Sequence, residues 1–357
     1  MTSDELQPAD LRDTNVETDT DERVTWPEEP EEAAAEAAVP FVPMHPLRAA
    51  GYFAASLTLA LSQGFGQSVI SANLLQLQGS FSATQAETLW LSAAYLAPNV
   101  SLTLVLIKVR NQFGLRNFAE ISIIGFLAAA LLNYAAGDLQ SAMAVRFMSG
   151  AAAAPMTSLA FLYMLEPLPP ERKMNYGLCA ALTLIFMGPA LTQVVSPYLL
   201  EIGLWHGLTA LEAALAMIAF GLIYLLPLGK PQHTMKVHPN DITSYIFIAI
   251  GMGSITVALV FGPTYWWTST PWIGWLLALG IVSSAIAAVI ELNRKVPLLD
   301  IRWIMSPAVL QFSAVLLLFR IVLSEQTSGA AGLFRSLGLM NEQMQVLNLI
   351  IIGMTIA

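Results

Sequence analysis

Long apolar runs separated by short polar stretches dominate the chain from residue 47 onward. Nine such runs stand out, at 49–78, 87–109, 118–136, 142–164, 176–199, 206–228, 242–262, 271–291 and 306–324. A tenth begins near Gln343 and is still apolar at Ala357. A helix that crosses a bilayer needs about 20 apolar residues, which these runs supply. The residue-by-residue alternation of membrane strands is absent from them. The pattern predicts an all-α polytopic membrane protein of about ten transmembrane helices, the last incomplete.

Composition sharpens this reading. The 357 residues are 56% hydrophobic and 11% charged, with a mean hydropathy of +0.62. Soluble domains carry about 25% charged residues. A soluble enzyme, a nucleic-acid binder and a secreted disulfide scaffold are thereby excluded. The single cysteine, Cys179, leaves no internal disulfide and no cysteine-rich metal site. The net charge of −9 divides unevenly. Residues 1–46 hold 13 of the 25 acidic residues against Arg12 and Arg23 alone, and the remainder is close to neutral. That acidic segment is too poor in apolar residues to fold, and it lacks the basic start and apolar core of a signal peptide. It is expected to be a disordered cytoplasmic tail.

The basic residues orient the spans. With the amino end inside, the inner segments carry Arg48; Lys108, Arg110 and Arg116; Arg172 and Lys173; Lys230 and Lys236; and Arg294, Lys295 and Arg302. The outer loops carry Arg335. The expected topology therefore places the amino terminus in the cytoplasm and the positive loops read as topology determinants. Pro263–Trp272, with three Trp and one Tyr, has the composition of an interfacial aromatic belt, with carbohydrate stacking as the alternative.

Ionisable side chains at membrane depth are costly and mark function. Arg146 on the fourth span, Glu212 on the sixth and Arg320 on the ninth are the candidates for coupling to protons. Arg146 could instead snorkel to water, and Arg320 could pair with Glu325 or an anionic group. The first span carries Gln63, Gln67 and Ser71 at i, i+4, i+8, a single stripe that is expected to face a central cavity. Tyr95, Asn99 and Gln193 could line the same space. Gly188 and Pro189, inside the fifth span, permit close helix approach and a bend. There is no phosphate-binding loop, and His45, His206, His233 and His238 lack metal-ligand spacing. No cofactor and no enzymatic constellation are expected.

Several segments resemble one family. W-L-S-A-A-Y-L-A-P-N, Trp90 to Asn99, is similar to the second helix of the fourteen-span drug:proton antiporters of the EmrB/QacA type, within the major facilitator superfamily. I-K-V-R-N-Q-F-G-L-R, Ile107 to Arg116, resembles that superfamily's loop signature G-x-x-x-D-R-x-G-R-R, with Gly114 and Arg116 matching and Asn111 in place of the Asp. Arg146 to Gly150 resembles R-x-x-x-G, and Leu168 to Lys173 the P-x-x-R-R segment before the fifth span. Gly188-Pro-Ala-Leu resembles the start of the antiporter signature, whose later Gly and Pro are here Thr192 and Gln193. Glu291 to Leu299 resembles the E-x-R-x-x-x-P-L-L run before the ninth helix.

The resemblance implies a first six-helix bundle (47–228), a linker with two extra helices (229–300) and the start of a second bundle (301–357). It implies alternating access about a central site, with a lipid bilayer, a small amphipathic organic substrate and protons as partners, and a periplasmic adaptor protein as a further candidate. No nucleic acid is implied. Asn111, Gly114 and Arg116 would form a cytoplasmic latch that is weakened by the missing acid. Gly150, Gly188 and Pro189 would set helix packing, looser around Thr192 and Gln193. Fourteen helices are implied where ten are seen, so a fragment, a broken gene or completion by another chain is expected. Efflux from the bacterial inner membrane, a non-transporting remnant or interaction protein, and solute uptake by the same fold all stay open.

Overall fold

Helix ends in this chain are set by short polar signals between the apolar runs. The computed structural model describes residues 44–229, 239–267, 269–294, 297–325, 329–339 and 343–356. Most of the acidic segment, with Lys230, Lys236, Lys295, His233 and His238, lies outside them. Helix α1 (Pro46–Ala72) starts at Pro46, where the missing N–H costs no helical bond, and the His45 ring accepts from Leu47 N. Helix α2 (Leu74–Phe81) continues it. Helix α3 (Gln85–Thr103) opens with a reciprocal cap between Thr84 and Glu87, and α6 (Leu139–Leu165) with one between Asp138 and Ser141. Between them lie α4 (Leu106–Phe113) and α5 (Leu115–Ala135). The α3–α4 axis bends by 58°, and Gly114 ends α4 at φ +78°.

After the short α7 (Pro170–Arg172) and a π-helical turn (Lys173–Gly177), α8 runs Leu178–Leu225. A continuous helix of 48 residues would be about 70 Å long, over twice the bilayer core. Non-helical backbone at Gly203 and Leu204 divides it into 178–202 and 205–225. Gly207 lies so close that a Cβ there would stand 2.0 Å from the Leu199 carbonyl oxygen, so this break requires glycine. Then follow α9 (Pro239–Phe261), α10 (Pro271–Leu292), α11 (Ile301–Ile304), α12 (Pro307–Ser324), α13 (Ala330–Ser336) and α14 (Gln345–Ile356).

Helices stand at all ten expected positions, and the chain is an all-α polytopic membrane protein. Six of the described helices are long and apolar enough to cross a membrane, the divided α8 counting as one, and seven if α3 and α4 form one bent span. Helix α1 is not among them, consistent with its glutamines and serines, and α14 is too short. Helix α13 was not foreseen within the polar stretch after the ninth run.

Helices α1, α3, α5, α6 and α8 pack into one bundle, and the most extensive contact is α1 on α8. Gly64 and Gly188 meet there, a Cβ on either standing 2.6–2.7 Å from the other's Cα. The expected looseness beyond Gly188 is not found. Thr192 is buried and its hydroxyl bonds back to the Gly188 carbonyl, which satisfies it within the helix, and Gln193 is buried too. Two apolar clusters fill the bundle. One surrounds Tyr52, Phe118, Phe126 and Tyr163, and the other Phe65, Trp205 and Leu208. Helices α9 and α10 pair with each other, and α9 lies on α3. Helix α14 packs on α8, whereas α12 buries none of its residues.

Candidate functional site

Between the two apolar clusters lies a set of polar side chains at bundle depth. Arg146 and Glu212, each only 1% exposed, form an ion pair with Nη1 3.3 Å from Oε2 and 3.5 Å from Oε1. Helix α6 supplies the arginine and the second half of α8 the acid. Arg146 Nη2 donates to the Gly66 carbonyl on α1, and its guanidinium lies 4.4 Å from the Tyr95 ring centroid on α3. Asn133 on α5 donates to Glu212 Oε2 at 2.7 Å. All five helices of the bundle thus meet at one ion pair. A buried pair is tolerated only when further hydrogen bonds help satisfy it, and these contacts perform that role. Arg146 Nε and Asn133 Oδ1 are left without a partner. The adjoining space, lined also by Phe65, Val69, Trp205, Leu208 and Thr209, is too narrow for a water molecule.

A neutral network adjoins the pair. Tyr95 Oη donates to Gln63 Oε1 at 3.5 Å, and Gln63 Nε2 and Gln67 Nε2 donate to Asn99 Oδ1 at 3.3 and 3.5 Å. Asn99 Nδ2 donates to the Gly150 carbonyl at 3.1 Å. Glycine spacing brings the helices this close. A Cβ on Gly66 would stand 2.5 Å from Tyr95 Oη, and one on Gly150 2.0 Å from the Tyr95 carbonyl oxygen.

Of the predicted residues, Arg146, Glu212, Gln63, Gln67, Tyr95, Asn99 and Gly150 come together. Ser71 does not: it is exposed and bonds back to the Ser68 carbonyl, so the stripe ends at Gln67. Arg146 does not snorkel, because Glu212 and Gly66 hold it inward. Arg320 and Glu325 form no ion pair among the described residues, and the Arg320 guanidinium lies 5.2 Å from the Phe186 ring centroid instead. Pro189 lies half-buried within α8, and Gln193 is buried on the same helix. Sequence reasoning missed Asn133 and Gly66. Asn133 stands in an otherwise apolar stretch at the end of α5, which was a legible sign.

A second charged cluster joins α4, the start of α9 and the end of α10. Lys108 Nζ is 2.9 Å from Asp241 Oδ2, and both residues are 2% exposed. Arg294 pairs with the same Asp241 and, at 3.3 Å, with Glu291. Glu291 Oε2 also accepts from the Leu298 and Leu299 amides. Lys108, expected as a topology determinant, is held inward by Asp241, 133 positions away. Asn111 is half-buried beside it on α4. Arg116 is exposed and pairs locally with Glu120 at 2.8 Å.

The expected aromatic belt partly folds into a groove of ≈ 570 Å³ lined by Trp90, Phe261, Tyr265, Trp272 and Trp275. Trp266 points outward instead, 76% exposed.

No protein-family profile matches the chain. It is similar to a protein of Klebsiella pneumoniae named "Putative multidrug resistance protein MdtD", with 26% identity over 175 residues, 48% of this chain and 35% of that one. The Escherichia coli protein of the same name is 28% identical over 153 residues, 42% of this chain and 31% of that one. The chain spans about a third of the length of the curated relatives it matches. A bacterial homologue of the human lysosomal transporter Spinster, crystallised facing inward, overlays 68% of this chain and 60% of its own, at 14% identity and a TM-score of 0.41.

Proposed function

We propose that this chain forms part of a secondary transporter of the major facilitator type, in the fourteen-span drug:proton antiporter branch. The observation that carries the reading is the buried Arg146–Glu212 pair, at which five helices of the bundle converge. A charge pair at that depth is costly unless it does work. Glu212 is the proton carrier in this proposal. Protonation would weaken its hold on Arg146, and the guanidinium would then rest on the Gly66 carbonyl and the Tyr95 ring alone. Helices α6 and α8 would separate more easily in that state, which is the coupling that alternating access needs.

Gln63, Gln67, Asn99 and Tyr95 offer an amphipathic wall to a small organic substrate, with Gln193 as a further lining residue. Helices α1 to α8 form the first bundle, α9 and α10 the linker pair, and α12 and α14 the start of the second bundle. The positive loops put the amino terminus in the cytoplasm of a bacterial inner membrane. A periplasmic adaptor is a further partner of this reading. The shared stretch with proteins named for multidrug resistance supports efflux as the direction.

Extrusion of an amphipathic dye from energised vesicles tests the reading. The full chain should extrude dye, a protonophore should abolish the flux, and Glu212→Gln and Arg146→Ala should each remove it. Wild-type rates in both variants would sink the site assignment, and inward dye movement would favour uptake.

A further inference from the structure

Asn133 can serve Glu212 in two ways. Its side chain is fully buried near the end of α5, and Nδ2 donates to Glu212 Oε2 at 2.7 Å. Oδ1 has no partner. The polar residues that line the space beside this contact are Asn133, Arg146, Trp205, Thr209 and Glu212. The arginine and the indole can only donate, and Trp205 Nε1 is itself without a partner. The Thr209 hydroxyl gives its hydrogen to the Trp205 or His206 carbonyl. A surplus of donors therefore surrounds Glu212, which suits a carboxylate. The charged and titratable groups that face it are Arg146 from α6 and the Tyr95 phenol from α3. Helix α1 brings the Gly66 carbonyl with apolar Phe65 and Val69. Helices α2 and α14, which also pack on α8, carry no ionisable residue. His206, on the same helix as Glu212, is exposed and faces the Tyr134 ring.

Protonation reverses what Glu212 needs. A carboxylic acid carries an O–H that must donate, and the space beside it is too narrow for a water to receive it. A proton on Oε2 would stand against an N–H of Asn133, donor against donor. A half-turn of the amide about χ2 removes that conflict. This torsion is broad and roughly two-fold, and the turn exchanges Nδ2 for Oδ1 without changing the volume filled. We propose that Asn133 is a positioning residue that turns with the proton: its amide donates to the Glu212 carboxylate and, turned over, accepts from the Glu212 acid. The proton comes from water outside the site and ends on Oε2, and that O–H is the one covalent bond made. One amide atom goes without a partner in either state, so neither form of Glu212 is left with a stranded group. The inference rests on the reading of Glu212 as the proton carrier, and it names the group that lets the acid change charge in a dry site.

Infrared difference spectra between high and low pH test this on the full chain in lipid nanodiscs. Wild type should gain a carboxylic acid C=O band at low pH that Glu212→Gln removes. In the same step an asparagine amide C=O band should shift to lower frequency, as a carbonyl does on accepting a hydrogen bond. Asn133→Leu should remove that shift and move the Glu212 acid band to higher frequency, because the O–H has lost its acceptor. Asn133→Ser, which keeps a group that donates and accepts, should hold the acid band near its wild-type position. Asn133→Ser also removes the amide band, so the shift is assignable even if Asn133→Leu does not fold. A Glu212 acid band that appears with no amide shift would overturn the inference and leave the proton-carrier reading intact. An acid band unmoved by Asn133→Leu but moved by Thr209→Val would do the same, with the Thr209 hydroxyl as the acceptor. Absence of any Glu212 acid band would overturn both.

Discussion

The molecule contains two charge clusters built on different plans. At Arg146–Glu212 one cation meets one acid, and the rest of the shell is neutral: an amide, a backbone carbonyl and an aromatic face. At Lys108–Asp241–Arg294–Glu291 every charge faces an opposite charge, and Glu291 binds two backbone amides besides. The first keeps unpaired capacity at Arg146 Nε and Asn133 Oδ1, beside a narrow cavity. The second joins segments that the chain brings from far apart. Loss of Arg146 leaves Glu212 with neutral partners alone, whereas loss of Lys108 leaves Asp241 facing Arg294.

The sharpest way to break this contrast is Arg146→Ala. It leaves Glu212 buried with Asn133 as its remaining partner, and removing one member of a buried pair costs about 3–5 kcal/mol. A fall in the melting temperature of the detergent-solubilised protein should follow, and Arg146→Ala with Glu212→Leu should recover much of it. A double variant as unstable as the single would show that Glu212 is not the residue left stranded.

A smaller effect is expected from Gly150→Ala. Its Cβ would meet the Tyr95 backbone at 2.0 Å, so α3 and α6 must part. Overpacking of this kind costs about 1–3 kcal/mol. The neutral network through Asn99 should loosen, and hydrogen exchange at Gly150 and its neighbours should quicken. Unchanged exchange would separate Asn99 from the site.

The smallest effect concerns a charge outside both clusters. Ser141 hydrogen bonds to Asp138 hold that carboxyl below its usual value, in a fully exposed cap at the start of α6. A lowered acid contributes stability above its unfolded pKa, and the contribution is lost as pH falls through the folded one. Asp138→Ala should therefore lower the melting temperature slightly at neutral pH and by less at a pH well below the ordinary aspartate value of about 3.9. An equal difference at both pH values would show that the carboxylate charge is not what the cap uses.

Much of the fold was legible and little of the pairing. Long apolar runs specify helices wherever they occur, because a backbone in lipid must satisfy its own hydrogen bonds. The ten expected positions followed from that. The break at Gly203–Leu204 was also legible, as a gap between the runs ending at 199 and starting at 206. In the candidate site, helix periodicity put Gln63, Gln67 and Ser71 on one face, but only Gln63 and Gln67 reach Asn99. Period alone does not record where a helix stops being covered. The burial of Lys108 was not legible, because a lysine at the end of an apolar run looks the same whether its partner is water or an aspartate.

By itself, the sequence determined that this chain lives in a membrane, where its helices run and which residues carry charge at depth. These are local properties, set by a residue and its near neighbours. Only the tertiary structure decided that Arg146 faces Glu212, 66 positions on, and that Lys108 faces Asp241. A helix presents a face without specifying what lies opposite. Gly64, Gly66, Gly150 and Gly188 fix that choice through close backbone approach, a property of two helices at once.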